Sequence, residues 1–441
     1  MNRLHWLLPG LGIKRWLLVL GAGALALVVG LLYVVMLIWP VFYSRLQEVN
    51  ALGRLLLGIV FLVGGAVLSY WGIKRGMRAL RVAIRCGQPP DLPSYLRQWH
   101  RAERGPRLVV IGGGSGLSTL LRGLKLYSSH LTAIVTVSDE GGSSGRLRRD
   151  LGMLPPGDIR NCLLALADTE PVMERLFQHR FGQGTELAGH SFGNLFIAAM
   201  TEMSGDFEQA VRLFSQVLAV RGRVLPATLQ DVRIRAHYFD GSLVTGESQV
   251  SAVGKPIRKI ELDPPGPPAL PEAMKAIEKA EAVIIGPGSL YTSIIPNLLV
   301  TGLVEALRET VAPVAYVCNV MTQPGETRGY GAADHLKAVM EVTGPGVIDI
   351  MLMNDQIIPS DRLLDYTEQG AQPVPADVKG VKEQGVHPVV APLLNDSGLV
   401  RHDAEKLAQT MLYTLSCGRE GQWWTRLQDR WDHIGGTRNE S

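Results

Sequence analysis

Two kinds of hydrophobic pattern follow one another along the chain. From Trp16 to Trp39 there are 24 residues without a charge, and another 19 run from Leu55 to Ile73. A helix needs roughly 20 apolar residues to cross a hydrocarbon core, so the pattern predicts two transmembrane helices, 16–39 and 55–73. A cleaved signal peptide has an apolar region of only about 7 to 15 residues, and here a second stretch follows the first. Residues 74–106 are polar and basic, broken by GQPPDLP at Gly87–Pro93, and read as a short helix and a linker. Beyond them, short β-branched runs alternate with leucines at helical spacing. RLVVI (Arg107–Ile111) is followed by GGGSG and then by LSTLLRGLKL, a strand, glycine turn and helix. LTAIVTV (Leu131–Val137), AVIIG (Ala282–Gly286) and PVAYVCNVM (Pro313–Met321) read as further strands of an open α/β sheet. Asp231–Phe239, Asp240–Ser248 and Pro256–Leu262 alternate like antiparallel strands, a hairpin-rich insertion.

Charge sharpens this division. Residues 1–107 carry 14 Lys and Arg against 3 Asp and Glu, while residues 108–441 carry 30 against 38. Lys14 and Arg15 precede the two apolar stretches, and Lys74, Arg75, Arg78, Arg81 and Arg85 follow them. By the positive-inside rule both ends are expected in the cytoplasm, which predicts a membrane protein with its α/β part facing the cytoplasm. An acidic body argues against a nucleic-acid partner, which calls for clustered positive charge on the folded domain. The four cysteines are scattered without a CxxC pair, so neither a zinc cage nor a disulfide framework is indicated.

The candidate chemistry lies at strand ends. Glycines let a backbone come close to a diphosphate, and a helix start offers free N–H groups and a positive dipole end. Gly112, Gly113, Gly114, Ser115 and Gly116 are therefore candidate phosphate-binding residues, with the helix expected from Ser115 or Gly116; a purely structural turn is the alternative. The turn has neither the Lys-Ser/Thr pair of a Walker A loop nor a GxGxxG spacing. Asp139 and Glu140 end the second strand, where acidic residues of doubly wound folds commonly meet a ribose. Gly141, Gly142, Ser143 and Ser144 follow as a second loop of phosphate-lining type. After Pro155, Pro156 and Gly157, Asp158 reads as the cap of an apolar helix, opened by Arg160 and Asn161. His190 and Asn194, four residues apart, share a helical face if their helix starts that early. Gly286, Gly288, Ser289, Thr292 and Ser293 repeat the logic of the first turn, and Asn319, Thr322, Gln323, Glu326, Thr327 and His335 follow another strand. Ligands of open α/β sheets bind outside the carboxyl ends of the strands, so these residues are expected around one crevice.

The ordered series IGGGSGLSTLLRGLK, TAIVTVSDEGGSSGRLR, LPPGDIRNCLLALA, GHSFGNLFIAAMTEMSGDF, VLAVRGRVLPAT, IIGPGSLYTSIIPNLLV and VCNVMTQPGETRGY closely resembles the YvcK-type gluconeogenesis factor family. More distantly it is similar to the CofD-type 2-phospho-L-lactate transferases. The likeness is dense over Arg107–Asp355 and loose in the tail. It implies a Rossmann-like parallel-sheet core with a C-terminal extension, binding of nucleotide sugars such as UDP-N-acetylglucosamine, and a role in cell shape and in carbon or cell-wall metabolism. CofD-type relatives transfer a phospholactyl-like group from a nucleotide diphosphate carrier to a deazaflavin. Where many relatives have two aspartates after the second strand, this chain has Asp139 and then Glu140, a longer carboxylate that alters any Mg²⁺ geometry in which Asp139 is the candidate ligand.

The expected organisation is thus a membrane anchor over 1–73, a basic connector over 74–106, and a cytoplasmic α/β domain over 107–441. The expected function is a membrane-tethered nucleotide-sugar-binding regulator, forming a homo-oligomer and holding a UDP-sugar with Mg²⁺. A CofD-type transferase and an NAD(P)-dependent oxidoreductase are the competing readings. No Ser-His-Asp or Cys-His pairing is assignable. In the tail, Trp424, Leu427 and Trp431 share a helical face, expected to pack against the domain.

Overall fold

The computed structural model describes residues 22–33, 59–71 and 102–417, apart from 61, 169–170, 183, 185 and 397. It divides into two compact units, Met1–Arg101 and Ala102–Ser441. In the first, residues 22–33 and most of 59–71 are helical. Glycine lets these helices touch: a Cβ on Gly23 would stand 2.7 Å from the Ser69 hydroxyl, and one on Gly65 would stand 2.8 Å from the Gly23 carbonyl. Among the described residues, however, no helix is long and apolar enough to cross a membrane. This overturns the expected pair of transmembrane helices, and with it the two-span membrane localisation and the cytoplasmic placement derived from it. An uncharged run measures apolar sequence, whereas spanning requires roughly 20 of those residues in one continuous helix. The remainder of 16–39 and 55–73, the connector up to 101, and the tail with Trp424, Leu427 and Trp431 lie outside the described residues.

Among its described residues the second unit has ten strands: β1 (Leu108–Gly112), β2 (Leu131–Val135), β3 (Arg223–Pro226), β4 (Arg233–Tyr238), β5 (Leu243–Thr245), β6 (Ile257–Asp263), β7 (Ala282–Ile285), β8 (Val314–Val317), β9 (Ile350–Asn354) and β10 (His387–Ala391). Seven form a parallel sheet in the order β10-β9-β8-β7-β1-β2-β3. β1 is an interior strand, between β7 and β2, and is buried on both faces: Val109 and Ile111 join one hydrophobic cluster, Leu108 and Val110 another. That alternation is the period of two of a strand, and burial on both faces explains why Leu108–Ile111 is an unbroken apolar run.

The helices that bear on the site are α1 (Gly114–Leu124), α2 (Gly142–Leu151), α3 (Gly157–Leu166), α4 (Phe192–Ser204), α5 (Glu247–Val253), α6 (Ser360–Glu368) and α7 (Ala404–Cys417). α7 lies against α1 at Gly123, where any side chain would collide with the Ala404 carbonyl. β5, β4 and β6 form a separate antiparallel sheet. The expected strand Asp240–Ser248 shrinks to β5, because Gly246, at φ +106°, turns the chain into α5.

From β1 the chain builds outward to β3, then crosses back to start β7 on the other side of β1. Successive connections therefore leave β1 and β7 in opposite directions. The gap between their carboxyl ends is where an open parallel sheet leaves room for a ligand.

Candidate functional site

The first wall of that gap is the turn after β1. α1 begins at Gly114, one residue earlier than expected, with Gly113 as its extended N-cap and no side chain capping it. Asp158 accepts the Gly114 N–H, and the next N–H groups, of Ser115 and Gly116, stand at the gap. The glycines serve different purposes. A Cβ on Gly113 would lie 2.6 Å from Asp158 Oδ2, and one on Gly116 would strike the Pro287 carbonyl, so both permit close packing. Gly114 has φ +67° and open space beyond it, the Ser293 hydroxyl at 3.9 Å being the only neighbour.

The second wall is the turn after β7. Asn319 fixes it by a reciprocal pair: the Gly288 N–H donates to Oδ1 at 3.1 Å, and Nδ2 donates to the Gly288 carbonyl at 2.7 Å. Gln323 Nε2 donates to the Ser289 hydroxyl at 2.7 Å. Buried Asn297 ties the walls together by donating to the carbonyls of Gly112 and Ser293. Thr292 differs from its expected role. It is buried, and its hydroxyl donates to Glu326 at 3.1 Å, beside the Tyr291 N–H at 3.1 Å and the Ser251 hydroxyl at 3.3 Å. Burial pushes the Glu326 carboxyl up, against these donors.

A third side comes from the end of the chain. Val400, Arg401 and His402 join Gly113–Gly116, Thr119, Pro287–Ser289, Ser293, Asn319 and Gln323 around a cleft of roughly 210 Å³. Arg401 is exposed and makes no ion pair among the described residues. His402 is buried, and desolvation pushes it down to about 4, so it is neutral near pH 7. Residue order carried no signal for this side, because Arg401 lies about 285 positions from the first glycine turn and in the part of the chain with the loosest motif likeness.

Beside the cleft stands a group of carboxyls. Asp158 does not cap α3; it accepts a hydrogen bond from the Gly114 N–H, and burial, then the nearby Asp139, pushes it up to about 7. Glu247, at the start of α5, is likewise pushed up to about 7 by burial, then Asp139 and Asp158. Asp139 Oδ1 accepts the Gly141 N–H at 2.8 Å, and its Oδ2 occupies the space a side chain at Gly157 would need. Glu140 points elsewhere, pairing with Arg148 at 3.6 Å and Arg233 at 3.3 Å to tie α2 to the insertion. Among the described residues no three His, Cys, Asp or Glu side chains are grouped to hold a metal. Asp139 and Asp158 together still suit Mg²⁺, which commonly takes one or two carboxylates plus phosphate oxygens and water.

The remaining candidates form a separate polar network. Ser143 bonds His190 Nδ1 at 3.1 Å, Asn194 Nδ2 donates to Ser144 at 3.4 Å, and Arg160 donates to Asn194 at 2.7 Å, to Asn161 at 2.8 Å and to Ser191. Burial lowers the Arg160 guanidinium to about 10. α4 starts at Phe192 with Ser191 as its cap, so His190 precedes the helix and shares no helical face with Asn194. Gly141 is the N-cap of α2, which no side chain caps, and Gly142 is at φ +47°. Thr322 exchanges two hydrogen bonds with Gln372 and is buried. His335 is buried within the helix Ala332–Thr343. None of these residues lines the cleft.

Comparison with known proteins bears on what this arrangement does. The family "2-phospho-L-lactate transferase CofD" matches residues 108–394. A Nostoc sp. relative is 49% identical over 417 residues, covering 92% of this chain and 91% of its own length. The Gluconeogenesis factor of Bacillus subtilis is 49% identical over 313 residues, 70% of this chain and 98% of its own. A crystal structure of a Bacillus halodurans protein superposes with a TM-score of 0.68 at 47% identity, covering 70% of this chain and 99% of that one.

Proposed function

Because this chain belongs to the CofD family and, within it, to the YvcK-type gluconeogenesis factors, we propose that the cleft between β1 and β7 binds a nucleotide diphosphate sugar. UDP-N-acetylglucosamine is the first candidate, and the protein acts as a ligand-binding regulator of cell shape, cell-wall and carbon metabolism. The observation that carries this reading is the donor set around the cleft. The Ser115 and Gly116 N–H groups at the start of α1, the hydroxyls of Ser289 and Ser293, and Arg401, which makes no ion pair among the described residues, line one space, and Gly114 places no side chain in it. A diphosphate is a compact dianion that needs several short-range donors, a cation and little bulk. Neutral His402 supplies no charge, which leaves Arg401 as the cation. Asp139 and Asp158 would hold Mg²⁺, which supplies charge neutralisation at the phosphates.

Thermal unfolding of the full chain with Mg²⁺ and, separately, UDP-N-acetylglucosamine, NAD and GDP tests the reading. A ligand at 100 times its Kd stabilises the native state by about 2.7 kcal/mol, and the largest shift is expected with the UDP-sugar. Preference for NAD would favour an oxidoreductase. No shift with any of the three would count against a nucleotide site.

The carboxyls favour a second reading, group transfer of the CofD type. Asp158, with a pKa of about 7 and hydrogen-bonded to the phosphate turn, is suited to act as a general base. An acceptor hydroxyl would attack a phosphorus of the diphosphate, its proton passing to Asp158, while the bond to the leaving nucleotide phosphate breaks and Arg401 takes up charge. GDP preference with deazaflavin-dependent turnover, lost in Asp158→Asn, would support it.

A further inference from the structure

The cation at the cleft stands at the end of a long, flexible side chain, so its usefulness depends on how its backbone is held. Residues 393–402, of which 397 is not described, fold back on themselves. The Asn395 N–H donates to the Arg401 carbonyl at 3.1 Å, the Arg401 N–H donates to Asn395 Oδ1 at 3.2 Å, and Asn395 Nδ2 donates to the Leu399 carbonyl at 2.9 Å. Leu394 and His402 form an antiparallel bridge at the base.

The base of this segment is held by Asn354 and Gln356, whose side chains accept the Leu393 and Leu394 N–H groups, and its far part by a second arginine, on α6. Arg362 Nη1 donates to the Asn395 carbonyl at 2.8 Å, and Nη2 donates to Asn395 Oδ1 at 2.8 Å and to the Leu399 carbonyl at 3.2 Å. One α6 turn later, the Tyr366 hydroxyl accepts the Val400 N–H at 3.0 Å. Asp396, next to Asn395, is paired with Lys406 at 2.9 Å. Arg362 makes no ion pair among the described residues; its fork is given to three uncharged oxygens of one short segment. One of them, Asn395 Oδ1, is the atom that also receives the Arg401 N–H.

We propose that Arg362 is a positioning residue for anion recognition: through Asn395 it fixes the backbone of Arg401, and so sets where the Arg401 guanidinium stands beside the cleft. The proposal rests on the reading that Arg401 meets the ligand's diphosphate. A guanidinium loses less freedom per hydrogen bond than an ammonium because its donors are already planar and forked. Holding the segment in advance removes an ordering step from ligand binding. The competing role is purely structural, an anchor for the small cluster of Val320, Met321, Ile358, Ala371, Leu394 and Val400.

Two measurements on the full chain separate these roles. The first is amide hydrogen exchange without ligand, comparing wild type with Arg362→Ala. The amides of Asn395 and Arg401 should lose protection while those of β1 and α1 keep theirs; unchanged protection at Asn395 and Arg401 overturns the proposal. The second is calorimetric binding of UDP-N-acetylglucosamine at low and high salt. Arg362→Ala and Arg401→Ala should each weaken binding about tenfold and flatten its salt dependence, and the double variant should be no weaker than either alone, since both remove one contact. Additive losses, or a salt dependence untouched by Arg362→Ala, would also overturn it. Arg362→Lys keeps the charge but not the fork and should not restore binding. Should Arg362→Ala fail to fold, Asn395→Ala removes the Oδ1 relay and leaves Arg362 in place, and should reproduce both effects. If wild type does not bind the UDP-sugar, the nucleotide-sugar reading fails; the exchange result still decides the positioning role, and the binding arm is run with inorganic pyrophosphate.

Discussion

Gly114 combines two constraints that the other glycines of its turn do not. Its φ of +67° disfavours any side chain, and the direction a Cβ would take leads into the cleft. Gly114→Val should therefore abolish ligand binding and also destabilise the fold by about 1 kcal/mol or more, read by titration calorimetry and urea unfolding on the same sample. The carboxyls beside it make a pH prediction. Asp158 and Glu247 hold folded values of about 7, above the unfolded carboxyl value near 4. The folded state keeps protons that the unfolded chain releases, so stability linked to these groups is complete below about pH 4 and is lost as pH rises to about 7. Asp158→Asn and Glu247→Gln should each flatten the decline in stability between pH 5 and 7 and raise stability at pH 8, measured by urea unfolding across that range. A wild-type curve that rises over this interval, with both variants parallel to it, would show the carboxyls ionised throughout.

At the scale of elements, the turn after β7 is held by its neighbours rather than by its own residues. It opens in a π-type turn, Leu290–Ile294, whose first N–H groups meet the Glu326 carboxylate instead of a ligand. The same carboxylate reaches α5 through Ser251, coupling the antiparallel insertion to the cleft wall. Glu326→Ala leaves the Tyr291 N–H and two hydroxyls without an acceptor and should cost about 3 kcal/mol. Glu326→Gln, which retains one carbonyl oxygen, should cost less, and denaturant midpoints of the two variants compare them. This arrangement also explains the two expectations at Thr292 and Asp158 that the structure revised. A buried hydroxyl and a first-turn carboxylate look the same in sequence whether they face a ligand, cap their own helix or serve a distant loop. Only the packing of a second segment against them decides the outcome.

At the scale of the molecule, the cleft belongs to both halves of the sheet. β1 to β3 lie on one side and β7 to β10 on the other, joined by the β1 and β7 pairing. A ligand in the cleft should slow amide exchange in 113–116, 287–289 and 400–402 together. It should leave 142–144 and 190–194 unchanged, because their side chains already satisfy one another. Mass-spectrometric exchange with and without UDP-N-acetylglucosamine reads this directly, and protection confined to the second set would move the site. What residue order determined by itself was local: the β-branched runs that became β1, β2, β7 and β8, the glycine turn at a helix start, the alternation of the insertion, and a motif series specific enough to indicate the family. Those features depend on periodicity and on backbone freedom within a few residues. Tertiary structure alone decided the rest. It brought Arg401 to a turn far earlier in the chain, joined Arg160 to Asn194 and His190 to Ser143, and turned Glu140 toward two arginines. A side chain's partner depends on which distant surface packs beside it, and no local pattern contains that.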